Sequence, residues 1–176
     1  VVASFAERRQ VINDQLMAAA NKVNLNLIPD ETLLDEVTAL VEHPNVLMGQ
    51  FSETFLEVPQ ECLILTMKAN QKYFPLFDQH GNLTNRFLLV SNICPTDPHV
   101  IIDGNERVVR SRLADAKFFF DQDRKKPLIS RLPGLDTVIY HHQLGTQGLR
   151  VQYLCALANK IGAMIGGDQL ANEAVE

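Results

Sequence analysis

The sequence has no tryptophan and only three cysteines, Cys62, Cys94 and Cys155, in 176 residues. An odd number of widely spaced thiols builds neither a disulfide framework nor a Cys-x-x-Cys metal knuckle. The pattern predicts three reduced, mostly buried thiols in a reducing compartment. Positive charge is also scarce: 16 Lys and Arg stand against 21 Asp and Glu, a net charge of −5. The surface as a whole therefore does not attract polyanions, and a nucleic-acid partner would need a local basic stripe. No apolar run approaches the roughly 20 residues of a membrane span, and no basic, apolar, small-residue leader opens the chain. A cytoplasmic protein without a membrane partner is expected. Phosphate-binding and nucleophile-elbow signatures are missing as well, with no Gly-x-x-x-x-Gly-Lys, Gly-x-Gly-x-x-Gly or Gly-x-Ser-x-Gly. His141 and His142 are adjacent, so on an extended segment they point to opposite faces, and no thiol or carboxylate stands at ligand spacing beside them. Asp115, Asp121 and Asp123 lie among lysines and arginines, where ion pairing is expected rather than acid/base work. On this reading the chain carries no catalytic residue and no metal ligand.

What is present is an ordinary globular composition, 46% apolar and 21% charged, enough for one well-buried domain or one domain with a docked helical piece. Ser4 followed by Glu7 reads as a capping box, and Phe5, Ile12, Leu16, Ala19 and Val23 mark one face of a helix to about Lys22. Asp30 caps a second helix with Leu33, Val37, Leu40 and Val41 on one side, stopped by Pro44. Val46 to Phe51 reads as a strand. Pro59 suits the first turn of a third helix, although Cys62 to Leu65, apolar on every side, fits a buried strand too. Lys72 to Asp78 and Arg86 to Asn92 flank a Gly-containing loop and form a hairpin. Pro75 in the first arm cannot donate to a ladder, which requires an edge strand or a bulge. Asp97-Pro98 opens a long helix with a Val109, Leu113, Ala116 and Phe120 seam, ended by Pro127. Residues 135–142 read as extended or irregular. Thr146 or Gln147 starts a last helix carrying Val151, Leu154, Leu157, Ala158 and Ile161, closed by Gly166-Gly167. The fold class is α+β: a small antiparallel sheet with a central hairpin, packed by several helices including one long central helix. A division into a mixed part, 1–95, and a mainly helical part, 96–176, is expected. The opening on Val1 and the helix-like stretch from Leu170 to Glu176 suggest an internal piece of a longer chain.

Two groups of cations could meet a large anion. Arg110, Lys117 and Arg124 are seven apart on the long helix, beside its apolar seam, with Arg107 and Arg112 on other faces. A stripe at this spacing could follow phosphates, or its stems could cover apolar surface while the charges pair with Glu106, Asp121 or Asp123. Lys68, Lys72 and Tyr73 cluster at the hairpin entrance. There an aromatic between cations could stack a base, or Tyr73 could pack on its cross-strand neighbour.

The strings Thr66-Met67-Lys68, Gln71-Lys72-Tyr73-Phe74-Pro75, Gly104-Asn105-Glu106-Arg107-Val108-Val109-Arg110 and Arg112-Leu113-Ala114-Asp115-Ala116 closely resemble the β subunit of the bacterial, two-subunit glycyl-tRNA synthetases. So do Phe118-Phe119-Phe120, Asp123-Arg124-Lys125-Lys126 and Gln143-Leu144-Gly145-Thr146. One departure follows: where that family as a rule places an Asp-Lys pair, this chain runs Gln147-Gly148-Leu149-Arg150. The resemblance implies a piece of an α2β2 heterotetramer, a ligase that joins glycine to its tRNA using ATP, with Mg expected alongside. In that family the α subunit holds the class II nucleotide-binding core, and the β subunit is needed for aminoacylation and engages tRNA. The implied partners are the α subunit, tRNA(Gly) and other domains of the same β subunit, and no cofactor falls to this piece. The implied role is tRNA positioning and scaffolding, with Lys68, Lys72, Tyr73, Arg110, Lys117 and Arg124 as candidate contacts. The alternative is a protein-interaction module that never touches tRNA.

Overall fold

The computed structural model describes residues 1–167 and divides the chain into two compact units, Val1–Phe120 and Asp121 onward. The helix-like stretch expected at 170–176 lies outside the described residues.

The first unit begins with helix α1, Phe5–Lys22, whose N-cap Ser4 accepts from the Glu7 amide. A two-residue strand follows, β1, Asn26–Leu27. Helix α2, Glu31–Leu40, is capped by Asp30, which accepts from the Leu33 amide. Strand β2, Asn45–Gln50, precedes helix α3, Gln60–Leu65, with Pro59 as its N-cap; a π turn, Thr66–Asn70, continues it. Cys62 to Leu65 are thus helical. The hairpin is β3, Phe74–Phe77, and β4, Leu83–Ser91, and the long helix is α4, Pro98–Asp123. The sheet order is β1-β3-β4-β2, antiparallel throughout. β3 is therefore an inner strand. A register shift separates Pro75 from Phe77, and β1, which pairs Leu76 and Phe77, does not reach Pro75. Both options for Pro75 are met: the ladder is irregular beside it, and its β1 side is locally an edge.

Alternation along the hairpin builds two cores, because successive strand residues point to opposite faces. Phe74, Leu76 and Leu88 pack with Ile12, Leu16 and Ala20 of α1 and Leu33, Leu34 and Val37 of α2. Tyr73, Phe77, Phe87 and Leu89 pack with Leu63, Met67, and Val109 and Leu113 of α4. That contact explains why α4, expected to open the second part at residue 96, belongs to the first unit as far as Phe120. The edge strand β2 is blunted by side chains: Gln15 accepts from the Val46 amide and Glu106 from the Gln50 amide, removing donors that an aggregating strand would seek.

The second unit contains a 3-10 stretch, Leu128–Thr137, a small ladder of β5, Ile139–His141, with β6, Gly145–Thr146, and helix α5, Gln147–Ile165. Thr146 caps α5 by accepting from the Leu149 amide, and Gly166, at φ 76°, ends it in the left-handed conformation that glycine adopts without penalty. The three cysteines are free, but the expected burial is not found. Cys62 and Cys94 are exposed and Cys155 is half-buried. Among the described residues no helix is long and apolar enough to cross a membrane.

Candidate nucleic-acid interface

The corner at the hairpin entrance is built by the π turn. Its wide helical turn ends with Lys72 at φ 59°, a left-handed conformation unusual for a side-chain-bearing residue. The Lys72 amide donates to the Lys68 carbonyl and the Tyr73 amide to the Met67 carbonyl, so the turn closes as a helix C-cap one residue wider than usual. This closure throws the two lysines toward α2. Lys68 Nζ lies 2.8 Å from Asp30 Oδ2, and Lys72 Nζ lies 2.8 Å from Glu36 Oε1 and 3.0 Å from the Ala69 carbonyl. Tyr73 turns the other way, into the core, with its ring 4.7 Å from that of Phe87. Its hydroxyl bonds Asn105 Oδ1 at 2.7 Å, and Asn105 Nδ2 donates to the Ile101 carbonyl. Burial pushes the Tyr73 phenol up to about 12, so it stays neutral throughout the physiological range.

Asp30 has two jobs at once, capping α2 and pairing with Lys68. The Lys68 hydrogen bond, and after it the Leu33 amide, hold its carboxyl below the usual carboxylate value of 3.8, against a smaller opposing desolvation. The folded state thus binds the Asp30 proton less readily than the unfolded chain. The stability it contributes is present above the ordinary carboxyl value and lost as pH falls through the lowered folded value. Asp30→Asn keeps the cap and loses the pair. It should therefore cost up to about 1 kcal/mol at neutral pH, and the gap to wild type should narrow as the pH falls below the ordinary carboxyl value, when measured by urea unfolding across an acid series.

The second group lies along α4. Arg110 is exposed, and no ion pair or hydrogen bond engages its side chain among the described residues. Lys117 reaches Glu57 Oε2 at 2.8 Å, a pair whose carboxylate side is mostly in water. Arg124 falls one residue past the end of α4, in a turn that belongs to the second unit, and it too has a partner. The expected three-residue stripe is therefore a two-residue one on the helix itself, because α4 stops at Asp123.

Sequence patterning did not single out the cleft of about 430 Å³ between β2 and α4, lined by Gln50, Arg86, His99, Asp103 and Glu106 over a floor of Met48 and Gly49. The signal was available: residues 99, 103 and 106 stand at helical spacing on one face of α4. Among the described residues no group of three or more His, Cys, Asp or Glu is placed to hold a metal ion.

A sequence model of the family described as glycyl-tRNA synthetase beta subunit matches residues 1–176. The chain is similar to the glycine–tRNA ligase beta subunit of Nitrosomonas europaea, 65% identical over 174 residues that make up 99% of this chain and 24% of the relative. It is equally similar to that of Thiobacillus denitrificans, 65% identical over 99% of this chain and 25% of the relative. The one from Methylobacillus flagellatus is 63% identical over the same shares, 99% and 25%. The chain thus spans about a quarter of the length of the curated relatives it matches.

Proposed function

Because the chain belongs to the glycyl-tRNA synthetase beta subunit family, we propose that it is an internal piece of the β subunit of an α2β2 glycine–tRNA ligase. It would serve the ATP-dependent attachment of glycine to tRNA by positioning tRNA and bracing the assembly, while bond-making is left to another polypeptide. The observation that carries this reading is the identity of 65% spread over nearly the whole chain. The relatives' name as a beta subunit supports an α subunit as partner, and the ligase name supports tRNA. ATP and Mg are assigned to the whole enzyme, and its place is the cytoplasm, where tRNA is charged.

Within this reading the exposed flank of α4 is the better tRNA surface. Among the described residues Arg110 has no competing carboxylate, and the Lys117 to Glu57 pair is a surface ion pair, worth about 0–1 kcal/mol and readily exchanged for a phosphate. Lys68 and Lys72 would have to leave Asp30 and Glu36 first, and Tyr73 offers its hydroxyl side at most. Each phosphate neutralised by a cation releases condensed counterion and adds to the salt dependence of binding. In the assembled enzyme, Arg110→Glu with Lys117→Glu is expected to weaken tRNA binding about tenfold or more at low salt. The slope of log affinity against log salt should flatten by about 1–2 units. Filter binding across a salt series measures both. Unchanged affinity and slope remove this flank from the tRNA surface.

The alternative is a protein-interaction module with no tRNA contact. It is favoured by the engagement of Lys68, Lys72 and Lys117 with carboxylates and by the net charge of −5. It predicts that the charge reversals leave tRNA binding intact.

A further inference from the structure

The described residues of the second unit form no core of their own. Among its described residues the two that are buried are Gly148 and Gly162, and no apolar side chain beyond Leu113 belongs to the buried core. A stretch of about 50 residues cannot offset the entropy of ordering with so little burial.

The reason lies in how α5 is written. Its buried and half-buried side carries small residues, Gly148, Val151, Cys155, Ala158 and Gly162, at steps of three and four. A different side carries Tyr153, Leu154, Leu157, Ile161, Met164 and Ile165, again at steps of one turn. These are exposed, from 45% for Leu154 to 84% for Met164. At 100° per residue the six occupy a sector of about 120° and the small-residue side about 80°, which leaves an arc of about 140° with Gln152, Ala156, Asn159, Lys160 and Ala163. A helix with two apolar sides needs cover on both, and large apolar side chains gathered on one exposed face mark an interaction surface.

We infer that the Tyr153–Ile165 face of α5 seats another part of the same β polypeptide. That part would come from the three quarters of the relatives' length that this span does not include, and it would present an apolar helix or sheet face of its own. Two arguments select this occupant over a dissociable one. Six large apolar side chains lie together on the face, with Arg150 only at its N-terminal end, the character of a core divided in two rather than of a reversible contact. A separate partner would also leave it in water whenever the two came apart, whereas a segment of the same chain is held at high effective concentration. The inference rests on membership of the family and is independent of tRNA contact.

The test uses the full-length β chain alone, in a background lacking other cysteines, with Leu157→Cys compared with Ala163→Cys, exposed and off that face. Maleimide labelling of the first is expected to be at least about tenfold slower than that of the second, because side chains in a stable interface react only through local opening. Equal rates overturn the inference. So does slowing that appears only when the α subunit is added, which makes that subunit the occupant, or only as the β concentration rises, which makes it a second copy. Hydrogen exchange over residues 147–165 of the unsubstituted β chain gives an answer even if Leu157→Cys does not fold: slow exchange is expected, and exchange at the rate of an isolated helix overturns the inference.

Discussion

Replacing Phe87 by alanine is expected to lower the unfolding free energy by about 3–5 kcal/mol, the usual cost of deleting a fully buried aromatic ring. Phe87 is 0% exposed, and its ring lies between Phe51, at 6.5 Å, and Tyr73, at 4.7 Å, in the cluster that joins the sheet to α3 and α4. It is also directly opposite Gly49 on the edge strand β2. A Cβ built at Gly49 would stand 2.5 Å from the tip of the ring, so the aromatic covers the glycine that the edge strand needs there. Gly49→Ala is therefore expected to cost about 1–3 kcal/mol by overpacking, although alanine is otherwise the better residue for the chain. The two changes share one contact, and the double variant should fall well short of their sum. Urea unfolding of the four proteins measures this, and strict additivity would show that the ring does not rest on Gly49.

In the second unit the expected large effect is at Gly148. At an open site near a helix start, Gly→Ala stabilises by up to about 1 kcal/mol. Here the sign should reverse. A Cβ at Gly148 would meet Asp136 Oδ1 at 1.9 Å, its Cγ at 3.0 Å and its backbone nitrogen at 3.2 Å. The carboxylate can rotate away, but the backbone nitrogen cannot, and the carboxylate would then lose its favourable place beside the positive end of α5. We expect Gly148→Ala to destabilise the contact between α5 and the 3-10 stretch by about 1–3 kcal/mol, read as faster hydrogen exchange at 147–165 in the full-length β chain. Asp136→Ala should recover part of that loss, since it removes the nearest obstructing atoms. A Gly148→Ala chain with slower exchange than wild type would contradict the close approach.

Short-range signals carried over well to the structure. Ser4, Asp30 and Thr146 cap their helices by the amide bonds their side chains suggest, and Gly166 ends α5 as its lack of a Cβ allows. The hairpin is where the alternation puts it, although β4 begins three residues early, at Leu83, because Gln60 of α3 accepts from the Leu83 amide and holds it in line. Pairing at a distance was not legible. Nothing in Asn26–Leu27 announces a strand; those two residues are strand only because β3 lies beside them. The candidate cations show the same limit. Lys68 and Lys72 look available in one dimension, and it is Asp30 and Glu36, more than thirty residues earlier, that engage them. Arg124 drops out of the α4 stripe because the helix stops one residue before it.

By itself the sequence determined the α+β class, the helix starts and the family, because caps, periodicity and ordered strings are properties of neighbours along the chain. Tertiary structure alone decided which lysines are already paired, that Tyr73 faces inward, and that α5 turns its small-residue side to the 3-10 stretch. Those outcomes depend on which distant segments meet, and the free energy of a charge or an apolar surface is set by what it touches after folding.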